Sequence, residues 1–378
     1  MQQADDGVAD AVTRARNVAP RIVECADEID RGRRLPQDLV DELIAQGLFR
    51  LLVPRSLGGE EMDWLAYLDV VRIIAEADGS TGWCLNQGAV FATMSARCPE
   101  SLAREVWGNP CTVVANGPPQ GAQSVPVADG YRLTGNWMFS SGCRHANWIA
   151  AVAANKGEPA RLHLLPKSEV EFVDVWQVEG LRGTGSFGFR TNDLFVPNER
   201  AVIVDVPPLE EGPLYVVPQH LMFAAGFGCV ALGVARAGLD AAIELAIGKR
   251  PRFGRRSLAE EPVIHSQVGK AQATWAAAKA LLYETVADVW DSVQTDLAIT
   301  VEQRIRLRMA GTHAIRQSAD VVDIAYNLCG SDAIFASRAI QRRFQDAHVI
   351  TQQVQGRESH YETAGQFFLG LEPTGPVF

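Results

Sequence analysis

Four short stretches combine residue types that can bind a ligand and act on it. Gly135-Asn-Trp-Met-Phe-Ser-Ser-Gly-Cys143 sets two aromatic rings beside two adjacent hydroxyls. A flat heteroaromatic ligand needs that combination, an apolar slot with a few polar groups aimed at its ring nitrogens. Gly180-Leu-Arg-Gly-Thr-Gly185 and Arg250-Pro-Arg-Phe-Gly254 offer backbone N–H groups and guanidinium donors, which a pyrophosphate requires. Asp346-Ala-His348 adds an imidazole able to titrate near neutral pH. Each stretch also has a plainer reading. Trp137 and Phe139 can be alternating strand residues in a β core, and His348 a helix-end histidine bonded to a carbonyl. Cys143 can be a reactive thiol, although a free cysteine more often behaves as a small buried hydrophobe.

Positioning these residues falls to three stretches of different texture. From Ala9 to about Arg104, apolar residues recur at three- and four-residue steps, which predicts helices. The run Gly79-Ser-Thr-Gly-Trp83 opens one of them, with small hydroxyl residues suited to an N-cap. From Thr112 to about Val206, short β-branched runs alternate with Gly, Pro, Asp and Asn, predicting a compact β unit. Beyond Pro218 the periodicity is helical again, over 221–248, 263–290, 301–328 and 357–369, lengths that suit a four-helix bundle. The expected division is a helical domain at 1–110, a β domain at 111–207 and a helical bundle at 208–378. The glycine run at 180–185 is followed by Phe-Gly-Phe-Arg-Thr-Asn-Asp-Leu-Phe-Val-Pro197, which reads as a strand. A dinucleotide loop needs a helix there, so a Rossmann reading fails.

Composition bounds the partners. With 378 residues, 47% of them hydrophobic and 21% charged, the chain can bury a large core. A formal charge of −10 gives no reason to approach nucleic acid or anionic lipid. The start, MQQADDGVADAV, carries no visible secretory signal. Leu221 to Ala235 is apolar but short and rich in Gly and Ala, which predicts a closely packed buried helix. Seven scattered cysteines with no CxxC pair and no zinc spacing predict reduced thiols, a cytoplasmic location and no metal site.

Over nearly its whole length the chain resembles the acyl-CoA dehydrogenase superfamily. The resemblance rests on Gly180-Leu-Arg-Gly-Thr-Gly185 with Asp193-Leu-Phe-Val-Pro197, on Arg250-Pro-Arg-Phe-Gly254, on Leu328-Cys-Gly-Ser331, and on Ile340 through His348. It implies a mostly helical fold with a central β domain and a bound flavin, FAD or FMN. It places Phe139, Ser140 and Ser141 against the flavin ring, Ser141 near its N5. Arg250, Phe253 and Gly330 would serve the pyrophosphate and adenine side, the arginine reaching a neighbouring subunit's flavin, so a homotetramer is expected.

Most of that family carries a glutamate base just before the last helix, where this chain has Gln355. An amide cannot remove a proton. Phe139-Ser-Ser-Gly-Cys-Arg-His-Ala-Asn-Trp148, the Asp174 to Gly185 stretch and Asp346-Ala-His348 look instead like the two-component flavin-dependent monooxygenases of this fold, such as the 4-hydroxyphenylacetate and steroid-phenol hydroxylases. That branch implies reduced flavin from a separate reductase, a C4a-hydroperoxyflavin, and hydroxylation of an aromatic or polycyclic small molecule. His348 and Ser141 would be the catalytic pair, and Phe91 and Asn116 would face the substrate. These two replace a histidine and a serine of the phenol hydroxylases, which points away from a phenolate. His145 is expected to be structural, bonding a neighbouring loop. Two other readings stay open: an acyl-CoA dehydrogenase whose base has moved to Glu358 or Glu362, and a flavin-fold protein serving only as a binding subunit.

Overall fold

The computed structural model describes residues 2–204, 206–250 and 256–374, with side chains from Asp10 onward. Five helices come first: α1 (Gln2–Gly32), α2 (Gln37–Ala45), α3 (Trp64–Ala77), α4 (Gly79–Ala92) and α5 (Glu100–Trp107). On α1, Ala11, Ala15, Val18, Ile22, Cys25 and Ile29 form one buried stripe at alternating steps of four and three. The α4 helix is capped by Asp78, whose Oδ1 accepts from the Thr81 amide at 2.8 Å and from the Thr81 hydroxyl at 2.9 Å. The cap is therefore this carboxylate, and the hydroxyls of Ser80 and Thr81 lie inside the helix rather than before it.

Eight strands follow: β1 (Val114–Gly117), β2 (Pro119–Val127), β3 (Gly130–Ser140), β4 (Trp148–Ala153), β5 (Arg161–Pro166), β6 (Glu171–Val173), β7 (Phe187–Pro197) and β8 (Ala201–Ile203). They form two four-stranded sheets, β1-β4-β5-β8 and β2-β3-β7-β6. In the second sheet β3 (Gly130–Ser140) runs antiparallel to β7 (Phe187–Pro197), with Trp137 opposite Phe189 and a register shift between Trp137 and Ser140. Trp137 is fully buried and stacks on Phe189 at 4.9 Å between ring centroids. Phe139 lies in the bulge, at φ +55°, and turns outward. The strand reading thus holds for Trp137 but not for Phe139, because an extra residue in the bulge breaks the two-residue alternation.

Six helices complete the chain: α6 (Pro213–Val216), α7 (Gln219–Gly248), α8 (Pro262–Asp296), α9 (Val301–Cys329), α10 (Ala339–Thr351) and α11 (Ser359–Phe368). Gly228 lies beside Gly311 and Gly238 beside Val322, so α7 and α9 run parallel. The fourth member of the bundle is α10, which packs on both α7 and α9, whereas α11 packs mainly on α9. The expected helix at 357–369 exists, but it is too short and too far along to close the bundle. By length and composition α7 could cross a membrane, yet 83% of its apolar window is buried inside the fold. Its small residues let α4 approach closely: a Cβ added to Gly226 would lie 1.9 Å from Asn86 Oδ1, which accepts from the buried Tyr67 hydroxyl at 3.0 Å.

Replacing Gly226 by Ala should therefore destabilise the protein by about 1–3 kcal/mol, overpacking outweighing the better helix propensity of alanine. An unchanged urea midpoint in the G226A variant would contradict this account of the α4–α7 contact.

Candidate active site

Ser141 sits where the three parts of the chain meet. Its Oγ accepts from Trp83 Nε1 of α4 at 3.0 Å and lies 2.7 Å from Ser186 Oγ. Ser186 Oγ is 2.7 Å from Thr184 Oγ1, and the Thr184 hydroxyl donates to the Leu181 carbonyl at 2.8 Å. Donor counting gives this chain a direction. The Thr184 proton is committed to a carbonyl, so Thr184 accepts from Ser186, and Ser186 in turn accepts from Ser141. Ser141 is left with acceptor capacity only. Ser140 is fully buried and its Oγ has no partner among the described residues.

Two aromatic stripes lead away from Ser141. On α4, Trp83, Gln87 and Phe91 follow at four-residue steps, which places them on one face. On α7, His220, Phe223 and Phe227 form the facing stripe. Trp83 stacks on Phe227 at 4.0 Å, and Phe227 on Phe223 at 5.7 Å. Phe91 is buried in an apolar cluster against which Phe223 packs. Gln87 Nε2 donates to Asn116 Oδ1. Phe91 and Asn116, expected on the substrate side, are connected through Gln87, which bonds Asn116 and lies one helical turn before Phe91. The sequence reading missed Trp83, Phe223 and Phe227 as wall residues, although the four-residue spacing on α4 was there to be seen.

On the opposite side of the loop Phe139 is 58% exposed and meets the Trp176 ring edge-on at 6.3 Å. An exposed ring beside a glycine turn and a buried, unpartnered serine hydroxyl fits a flat heteroaromatic group laid against the β domain. Phe139, Trp176, Ser140 and Ser141 would hold it.

The other expected cofactor residues lie elsewhere. Arg250 follows α7 and Gly330 ends α9, and these ends are joined by Lys249, which donates to the Cys329 carbonyl at 3.0 Å and pairs with Asp332. From Phe227 to Gly248 the α7 axis rises about 30 Å, so one protomer does not bring Arg250 and Gly330 to Ser141. Phe253 lies outside the described residues.

His348 is not brought to Ser141 either. Its Nε2 lies 2.9 Å from Asp323 Oδ1 on α9, and its ring stands 4.5 Å from Phe344. Two residues before it, Asp346 faces the opposite way: its Oδ1 accepts from the Leu181 amide at 2.7 Å and its Oδ2 lies against Gly79. Successive helical residues turn by about 100°, which separates the two side chains. Burial first, and then the charge of Asp78, raises the Asp346 pKa to about 7, against the pull of Arg343.

Gln355 is buried and its Oε1 has no partner among the described residues, whereas Glu358 and Glu362 are both exposed to solvent. His145 packs on Phe49 at 5.8 Å, but its Nε2 bonds nothing among the described residues. It supports the loop by packing rather than by the expected bond. The Cys143 thiol lies 3.3 Å from the Gly185 carbonyl, and burial pushes its pKa up to about 11, which suits a structural residue. Among the described residues no group of His, Cys, Asp and Glu could hold a metal ion.

A helical domain, a two-sheet β domain and a helical bundle meeting at a serine with aromatic walls define the acyl-CoA dehydrogenase architecture. Models of the acyl-CoA dehydrogenase N-terminal and C-terminal domains match residues 10–103 and 225–356. Indole-3-acetate monooxygenase of Pseudomonas putida is 33% identical over 353 residues, covering 92% of this chain and 90% of the relative. The oxygenase subunit HsaA, a flavin-dependent monooxygenase of Rhodococcus jostii, is 31% identical over 87% of this chain and 90% of its own. The crystal structure of the HsaA monooxygenase from M. tuberculosis superposes with a TM-score of 0.90 at 28% identity, covering 97% of this chain and 99% of that one. The chain belongs to the acyl-CoA dehydrogenase superfamily, in the branch formed by the oxygenase components of two-component flavin-dependent monooxygenases.

Asp346 generates a pH test. Its folded-state pKa lies above the usual carboxylate value, so the folded protein holds this proton more tightly than the unfolded chain. The associated stability is fully present below about pH 4 and is lost as the pH rises toward 7. The Asp346→Asn substitution keeps an acceptor for the Leu181 amide without an ionisable group. The melting temperature of this variant, relative to the native protein, should rise by a few degrees between pH 5 and pH 8, and a pH-independent difference would refute the assignment.

Proposed function

We propose that this chain is the oxygenase component of a two-component monooxygenase. It takes reduced FAD or FMN from a separate flavin reductase and hydroxylates an aromatic or polycyclic small molecule. The dihydroflavin and dioxygen together supply the oxidant: one oxygen atom enters the substrate, the other leaves as water, and the flavin is oxidised by two electrons. The observation that carries this reading is the Ser141 site, in which a one-way chain of hydroxyls meets an aromatic corridor, in a chain that has Gln355 in place of the family's usual base.

Each residue has a task in this reading. Ser141 presents an acceptor to the hydrogen that reduced flavin carries at N5. Trp83 and Phe227 keep water from that edge, which protects a reactive oxidant from being wasted. Phe91 and Asn116, with Gln87 between them, face the substrate. His348 holds α10 to α9 through Asp323 and acts on the site by position. Arg250, Phe253 and Gly330 serve the phosphate and adenine side of a neighbouring protomer's flavin, which calls for a homotetramer. That assignment is supported by the length of α7, which keeps the two groups of residues apart within one protomer. The seven cysteines are unpaired, in keeping with a reducing, cytoplasmic setting.

When the protein is loaded with photochemically reduced flavin and mixed with oxygen, a transient absorbance should appear that matches neither reduced nor oxidised flavin. Direct reoxidation at the rate of free flavin would overturn the reading. Ser141→Ala removes the acceptor for the flavin hydrogen, worth about 1–1.5 kcal/mol, and should shorten the life of that transient about ten-fold. It also leaves the Trp83 indole N–H without its acceptor, so the melting temperature should fall as well.

A further inference from the structure

The corridor that begins at Ser141 ends on a buried cation. Arg308 of α9 is 3% exposed, and its Nε, Nη1 and Nη2 all lack a hydrogen-bond partner among the described residues. Burial alone lowers its pKa, to about 10, so it remains charged at neutral pH. Keeping a guanidinium from water without a counter-ion is unfavourable, and an apolar side chain of similar volume would be the more stable filler. Two histidines flank it. His220, in the first turn of α7, has its Nε2 buried and unpartnered, and His360, in the first turn of α11, bonds Thr312 Oγ1 through Nδ1 at 2.8 Å. Burial, followed by the charge of Arg308, lowers both imidazoles to about 4, so both are neutral at pH 7. Arg304 and Arg357 add positive field to the same surroundings.

The cation belongs to the same corridor. Gly311 of α9 lies against Ala224 of α7, and the two helices are parallel, which puts Arg308 level with His220 and Phe223. His220 and Phe227 are separated by about 10 Å along the α7 axis. A ligand reaching from the Trp83–Phe227 end to Arg308 therefore spans a ring and a short side chain.

We propose that Arg308 receives the carboxylate of the substrate, an aromatic acid whose ring lies along Phe91, Phe223 and Phe227 and whose acid group takes paired N–H···O bonds from the guanidinium, with His220 beside it. This rests on the monooxygenase reading of the Ser141 site, and it narrows the substrate to organic anions. A neutral phenol or hydrocarbon would leave the cation uncompensated.

The test is isothermal titration of the full-length protein with matched pairs that differ only in charge: indole-3-acetate against indole-3-acetamide, and 2-naphthylacetate against its amide. The native protein should bind each acid at least about ten-fold more tightly than its amide. Arg308→Gln should abolish that preference while the amide affinity stays the same, and Arg308→Lys should retain part of it. If Arg308→Gln does not fold, His220→Gln takes its place and should reduce the preference with the guanidinium intact. Equal binding of acid and amide, no binding of any acid, an acid preference that survives in Arg308→Gln, or displacement of the acids by chloride or phosphate at equal ionic strength would each overturn the proposal. The oxygen reaction of the reduced-flavin complex is read separately, so its transient can persist while the carboxylate assignment fails, or vanish while acid binding remains.

Discussion

The bond from the Leu181 amide to the buried Asp346 carboxylate holds the three parts of this protein in register. Asp346 comes from the bundle, Leu181 from the glycine loop of the β domain, and Gly79, which lies against the same carboxylate, from the first turn of α4. Gly180 tightens the joint, since a Cβ there would lie 2.3 Å from the Gln345 carbonyl. Trp83, Ser141 and Phe227 reproduce this three-way meeting one step away, each supplied by a different part of the chain. The active-site geometry is therefore inherited from a domain junction. A shift of the glycine loop by one residue would separate Ser141 from its indole donor.

Features of the sequence that depend on local chemistry were legible, and those that depend on folding were not. The strand after the glycine run, the long helices of the bundle and the serine pair follow from residue types in short windows, whereas the glutamate missing at Gln355 is known only from the resemblance to the family. The Phe139 bulge does not, because nothing in Trp137-Met-Phe139 marks where the two-residue alternation breaks. The α4 stripe of Trp83, Gln87 and Phe91 was visible as spacing, but only the approach of α7 at Gly226 turns it into a wall. Arg308 looks in sequence like any arginine on an amphipathic helix, flanked by Arg304 and Arg306. Its burial is set by helices that begin almost ninety residues before it and end sixty residues after it.

His348 shows how two residues of one short motif come to face different surfaces. Its neighbour Asp346 occupies a position that the fold needs, and a helix turns the next-but-one residue away from whatever the first one faces. The pair can match a family pattern in sequence and still address two separate surfaces, one toward Leu181 and one toward Asp323. The expected cofactor residues divide in the same physical way. Those in β3 are joined by strand geometry, whereas Arg250 and Gly330 sit a helix length away, at the joined ends of α7 and α9.

The four oxygen atoms running from Ser141 through Ser186 and Thr184 to the Leu181 carbonyl have a polarity that bears on cofactor traffic. A hydroxyl that can only accept tells a nitrogen bearing hydrogen from the same nitrogen without it. With the flavin seated at Ser141 as proposed, the site ranks the two redox forms of its cofactor, favouring the one that carries the hydrogen over the one that has lost it. In that arrangement turnover in a shared flavin pool acquires a direction from a backbone carbonyl four hydrogen bonds removed from the ring.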